Sequence, residues 1–309
     1  MAPALLRRLR GDSAALAPSP SINRTLTELV STLLRPGVTP DVVAESCRLL
    51  DEVPTLRRRA RAIRRAAALA EDSMERHYAA RLADAPRSTA DPSVRLRAAL
   101  SAFPYGDNYQ RLVAAELRAV QPLRSGRQVA FCGAGPLPLS AIIWHQLTGD
   151  DVTLIDVDAG AMTLAAGVIE HLARFDAVDR QALPMLTADG ASVEYRPYGT
   201  VFVASLVPKQ TLDAIATAIA CSGHDCILAV RSAYGLTARL AYDHVAPRRL
   251  EALGLEHLGT VVPDGSIPVT SIDGVPEDSG RRLGIAPAEV LNTTDLYRPR
   301  RASSSLSRP

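Results

Sequence analysis

Glu71, Glu75 and Tyr78 stand at i, i+4 and i+7 in the segment AEDSMERHY, so on a helix they share one face. Two carboxylates one turn apart repel by a few tenths of a kcal/mol unless a cation lies between them. That cation is either a substrate ammonium or one of the nearby arginines Arg64, Arg65 and Arg81. The first alternative places a carboxylate to take a proton; the second makes the stripe a solvated face. A second cluster is FPYGDNY, residues 103–109, in which Tyr105 and Tyr109 flank Gly-Asp-Asn. Its phenols could hydrogen-bond a substrate, or Phe103 and Pro104 could be a packing plug. Arg231 ends an apolar run and precedes Ser232-Ala233-Tyr234-Gly235. Its fork suits a carboxylate, of a ligand or of an ordinary ion pair.

The strongest signal is Phe131-Cys132-Gly133-Ala134-Gly135-Pro136-Leu137-Pro138. A strand ends, two glycines permit a tight turn and close backbone approach, and a helix follows with proline in its first turn. About twenty residues on, at the end of the next strand, Asp156 stands where an acid takes the ribose hydroxyls of a nucleoside. The other reading of Asp156 is a helix cap, a role Asp158 fills better. Position 138 is proline where a dinucleotide fingerprint wants a third small residue. Pro136 and Pro138 also lack N–H groups that a pyrophosphate would use. A nucleoside cofactor without phosphate, S-adenosylmethionine (SAM), fits this turn better than NAD or FAD. Asp189, in LTADG, is placed to hold the adenine amine.

These residues need elements to carry them. Helical periodicity runs from Ser21 to about Leu82, with a third helix over 55–82, and another helix covers Gln110–Val120. From residue 127 strands and helices alternate: 128–132, 152–157, 201–206 and 226–230 are strand-like, with helices over 137–148, 159–175 and 210–220. Late strands are expected at 260–262 and 269–272. The fold class is α/β, a Rossmann-like doubly wound sheet preceded by an all-α domain. The expected organisation is a loose arm (1–20), a helical acceptor domain (21–124), a SAM-binding domain (125–275) and a largely disordered tail (276–309).

Composition narrows the function. The chain has 309 residues, 47% hydrophobic and 22% charged, with 35 basic residues against 33 acidic ones. That balance excludes a wholly disordered chain and gives no nucleic-acid footprint. The apolar runs are too short for a membrane span, and MAPALLRRLRGD is a poor secretory signal, so a cytoplasmic location is expected. Cys47, Cys132, Cys221 and Cys226 form no zinc spacing, and no metal is expected.

Four segments in this order resemble nicotianamine synthases: AEDSMERHY (70–78), FPYGDNY (103–109), FCGAGPLPLS (131–140) and RSAYGLTARLAY (231–242). The resemblance implies a helical domain on a SAM-binding domain, and transfer of the 3-amino-3-carboxypropyl group of SAM rather than its methyl. It also implies a site in which Glu71 (ahead of Glu75), Tyr105 and Tyr109 serve the acceptor. Gly133, Gly135, Pro136, Asp156, Asp189 and Arg231 then serve SAM. Similar chemistry occurs in opine-metallophore synthesis on an amine and in isonocardicin synthase on a phenol. Both acceptor classes stay open, with one transfer to one small-molecule acceptor expected rather than condensation of three SAM molecules. An ordinary SAM methyltransferase, or a nonenzymatic nucleoside-binding regulator, are the alternatives.

Overall fold

The computed structural model describes residues 54–84, 103, 105–174, 178–233, 242, 244–262 and 292–300. In the first helix it describes the side chains of Arg64, Ala68, Leu69 and those from Glu71 onward. The expected arm, the helical stretches before residue 54, Pro104 and the expected strand at 269–272 lie outside these residues.

Two helices precede the sheet: α1 (Pro54–Ala83) and α2 (Gly106–Val120). Strand β1 (Gln128–Cys132), helix α3 (Leu139–Thr148), β2 (Asp151–Asp156), α4 (Ala159–Ala173) and β3 (Met185–Thr187) form the first half. The second half contains β4 (Thr200–Val203), α5 (Lys209–Cys221), β5 (Ile227–Ala233), α6 (Pro247–Glu251), β6 (Leu255–Val261) and β7 (Asn292–Pro299). They build a seven-stranded sheet of order β3-β2-β1-β4-β5-β7-β6. The first five strands are parallel, and β7 runs antiparallel between β5 and β6.

The doubly wound arrangement follows from the strands being apolar on both faces. Val129 and Phe131 join Phe202, Ile142, Trp144 and Val113 in the core beneath α2 and α3. Ala130 and Cys132, one residue out of phase, join Val201, Val203, Leu212 and Ile215 beneath α5. Helix α1 lies along α4: a Cβ on Gly167 would stand 3.2 Å from that of Ala83, and Arg76 reaches Asp158 at 2.7 Å.

Three expectations need correction. Helix α2 begins at Gly106, within FPYGDNY, so the Gly-Asp-Asn turn is the helix's first turn. Residues 185–187 form a short strand where none was expected. Most consequentially, the expected disordered tail contains β7, which completes the sheet, so the sheet domain extends to residue 299. The run Asn292-Thr293-Thr294-Asp295 is polar yet buried. Thr294 Oγ1 donates to Glu116 Oε1 at 2.5 Å, and Asp295 Oδ1 accepts from Thr260 Oγ1 at 2.5 Å. Polar side chains with buried partners can occupy an inner strand that a hydropathy pattern would miss.

Candidate active site

The turn after β1 is built around two glycines in left-handed conformation. Gly133 has φ +78° and Gly135 φ +68°. A Cβ on Gly133 would stand 2.7 Å from Val207 Cγ2, and one on Gly135 would stand 2.9 Å from Glu75 Oε2. Backbone freedom and close approach are therefore both required here. The N–H of Gly135 donates to Asp156 Oδ2 and that of Asp158 to Asp156 Oδ1, each at 2.9 Å. Each oxygen of an ionised carboxylate can accept a further hydrogen bond, so Asp156 keeps capacity for two hydroxyls. Asp158 is the cap: it accepts from the N–H groups of Gly160 and Ala161 and opens α4. Asp189 caps a single 3₁₀ turn through the N–H of Ala191 and is exposed at the cavity wall. Helix α3 starts at Leu139 rather than Leu137, with Pro138 at its N-cap position.

The cavity along this edge has a volume of about 440 Å³, within the range that holds one small ligand. Glu71, Glu75, Tyr109 and Arg231 are among the residues that line it. Tyr109 O–H donates to Glu75 Oε1 at 3.0 Å. Tyr242, nearly buried, hydrogen-bonds Glu71. Burial pushes the Glu71 carboxyl up to about 7, against the Tyr242 hydrogen bond that lowers it. Glu75 is raised well above the usual carboxylate range, by burial first and then by the charges of Glu71, Asp72 and Asp156. Tyr105, Tyr109 and Tyr242 are all pushed upward, first by burial and then by the neighbouring carboxylates. Their phenols are hydrogen-bond donors at pH 7, not bases.

The stripe read from the sequence divides. Glu71 and Glu75 face the cavity, whereas Tyr78 packs edge-on against Phe103 with centroids 5.4 Å apart. Phe103 is buried and stacks on Tyr109 at 5.8 Å, with Tyr105 edge-on at 5.8 Å. The aromatic cluster is thus a plug that also aims one phenol, Tyr109, at a carboxylate. Tyr105 belongs to the packed side of it.

Arg231 needs the largest correction. Its Nε and Nη2 donate to the two oxygens of Glu116 at 2.9 Å each, and its Nη1 donates to Ser140 Oγ at 2.9 Å. The bidentate partner is therefore Glu116, fully buried on α2, and not a ligand carboxylate. Of five guanidinium N–H donors, at most two remain for a ligand. Two polar atoms on cavity-lining residues, Ser205 Oγ and Asn292 Oδ1, are buried with no hydrogen-bond partner among the described residues. Tyr242, Glu116, Ser140 and Asn292 were not singled out from sequence. Only Glu116 left a local trace there, seven residues from Tyr109 and hence on the same face of α2.

Among the described residues no group of three His, Cys, Asp or Glu could hold a metal, and no helix is long and apolar enough to cross a membrane.

A family model described as nicotianamine synthase protein matches residues 5–272. The chain belongs to the nicotianamine synthase family. Nicotianamine synthase 9 of Hordeum vulgare is 31% identical over 280 residues, covering 85% of this chain and 76% of the relative. Nicotianamine synthase 3 of Arabidopsis thaliana is 28% identical over 279 residues, covering 84% and 81%. A crystal structure of MtNAS in complex with MTA and tNA superposes with a TM-score of 0.71 at 18% identity, over 97% of each chain. A glutamate-to-glutamine mutant of MtNAS gives 0.72 over 96% of each chain. Membership in the nicotianamine synthase family makes the chain a SAM-dependent aminocarboxypropyltransferase, as the four sequence segments implied. The fold is that of MtNAS.

Proposed function

We propose that the chain transfers the 3-amino-3-carboxypropyl group of SAM once, to the amine nitrogen of an amino-acid-like acceptor, releasing 5'-methylthioadenosine. The observation that carries this reading is the pair Glu71 and Glu75, enclosed with Tyr109 and Tyr242 beside the Gly135 turn. An ammonium between two crowded carboxylates relieves their repulsion. A carboxyl pushed up to about 7 is also matched to taking a proton from it near neutrality. A phenol acceptor would instead want an apolar slot and a base for a proton of pKa about 10.

The turn suits SAM on its own merits: glycines where a Cβ would fill the cradle, prolines where a phosphate would need N–H groups, and Asp156 with free acceptor capacity. In this reading Gly133, Gly135 and Pro136 shape the cradle, Asp156 takes the ribose and Asp189 the adenine amine. The acceptor nitrogen attacks Cγ of SAM in line with the C–S bond. The N–C bond forms, the C–S pair stays on sulfur, the sulfonium leaves as a neutral thioether, and the nitrogen's proton passes to Glu71. Tyr109 holds Glu75, and Tyr242 holds Glu71 in place for that transfer.

Incubation with SAM and a productive amine should yield methylthioadenosine in step with an acceptor carrying one added aminobutyrate unit. S-adenosylhomocysteine with a methylated product would replace this reading with methyl transfer. Strong nicotianamine formation from SAM alone would overturn the single transfer.

Replacement of the ribose acid tests the cofactor end separately. Asp156→Ala removes two charge-assisted hydrogen bonds to ribose, worth roughly 1.5–3 kcal/mol each. It also removes the carboxylate that ties Gly135 to Asp158. SAM affinity by calorimetry should fall by at least about tenfold; unchanged affinity in a folded variant would take Asp156 out of the ribose contact.

A further inference from the structure

Asn292 opens β7 opposite Ala233, and Thr294 lies opposite Arg231. Residues two apart share a sheet face, as do directly opposed ones, so Asn292, Thr294 and Arg231 project to the same side. That side is the one under α2, because Thr294 and Arg231 both bind Glu116. Asn292 is thus the next residue along this face towards the cavity edge of the sheet. It is 7% exposed, it lines the cavity, and its Oδ1 has no hydrogen-bond partner among the described residues. A buried acceptor left unpaired costs roughly 1–3 kcal/mol, and in folded proteins such atoms are few and usually have a reason.

We propose that Asn292 is an acceptor-binding residue, its Oδ1 taking an N–H of the ammonium of an amino-acid-like acceptor while the remaining donors of Arg231 face that molecule's carboxylate. The assignment rests on the amine-transfer reading above and names the group that would recognise the amine. The acceptor is favoured over SAM by distance. Asp156 ends β2, and the order β2-β1-β4-β5-β7 puts four strand spacings between it and Asn292. At about 4.8 Å each that is about 19 Å. A SAM held by its ribose on Asp156 has its reacting Cγ nearer to Asp156 than to Asn292, which leaves the Asn292 end of the cavity to the attacking molecule. Asn292 also lies beyond the 5–272 segment matched by the family model. A residue so placed can set which acceptor is taken while the donor half of the site stays constant.

An amide whose Oδ1 binds no described group contributes little through that atom to folding, so its removal should be tolerated. Asn292→Leu keeps the size and removes an unpaired acceptor, and is expected to melt at or above the wild-type temperature; Asn292→Ala serves if leucine does not fit. The full chain, saturated with methylthioadenosine, is titrated calorimetrically with L-histidine, L-azetidine-2-carboxylate and nicotianamine. At least one should bind the wild type, and the variant should bind it at least about tenfold more weakly. Its affinity for methylthioadenosine should stay within about twofold. Equal affinity in both proteins overturns the assignment, as does failure of the wild type to bind any of the three. A loss confined to methylthioadenosine or SAM overturns it too, by moving Asn292 to the donor. Methylthioadenosine release, followed in parallel, separates the two proposals. Release indifferent to Asn292 sinks this one and keeps the transfer, whereas Asn292-dependent binding without release does the reverse.

Discussion

Glu71→Gln is expected to lower kcat for transfer by about 10²–10³-fold while leaving SAM affinity within a few-fold. The amide keeps the shape and can still meet Tyr242, but it cannot take the proton that the acceptor nitrogen must lose. Wild-type kcat/KM should rise with pH through a midpoint at about 7, because below it Glu71 holds its own proton. That rise should vanish in the variant. The same substitution has a thermodynamic signature of opposite sign. A carboxyl raised from 4.5 to about 7 by folding binds a proton more tightly in the native than in the unfolded chain. Its charged form is therefore a burden that grows as pH climbs from 4.5 to 7 and is fully present above, up to about 3 kcal/mol. Glu71→Gln should thus melt higher than wild type at pH 8 and about equal to it at pH 4. A variant that loses neither turnover nor its pH limb would return Glu71 to a packing role and direct attention to Glu75.

Breaking the Arg231–Glu116 pair should give the largest loss of stability. Arg231→Met leaves the Glu116 carboxylate fully buried with, among the described residues, only the Thr294 hydroxyl hydrogen-bonded to it. Removing one member of a buried ion pair costs about 3–5 kcal/mol, whereas replacing both by apolar residues is often close to neutral. The single variant should therefore unfold at much lower denaturant, and Arg231→Met/Glu116→Met should recover most of the difference. This contrast separates a structural pair from a ligand contact. If Arg231→Met proves as stable as wild type yet binds SAM tenfold more weakly, Arg231 is a ligand for the donor's carboxylate after all.

The glycine turn was legible because its requirements are local. Left-handed φ at Gly133 and Gly135 and the apolar strand before them are properties of a short stretch. Asp156 at the end of β2 and Asp158 as the cap of α4 are likewise set by positions relative to one element. The one-face relation of Glu71 and Glu75 follows from helix geometry alone. None of these says what lies across from them.

What lies across was decided by tertiary structure. Arg231 has the same fork for any carboxylate, and nothing within its own strand tells Glu116, 115 residues away, from a ligand. Tyr78 and Glu75 share a helix face, yet Phe103 draws the first into the core while Gly135 and Tyr109 receive the second. The strand β7 was invisible because alternation and hydropathy register burial against apolar neighbours, and its inner residues are buried against polar ones. The sequence by itself therefore determined the family, the α/β class, the SAM turn and the residue types that could do the chemistry, since each depends on local geometry and short motifs. The partner of each charge, the pairing of Glu71 with Tyr242 and the placing of Asn292 beside Arg231 were decided only by the fold, because a side chain's charge state and burial depend on groups brought from distant parts of the chain.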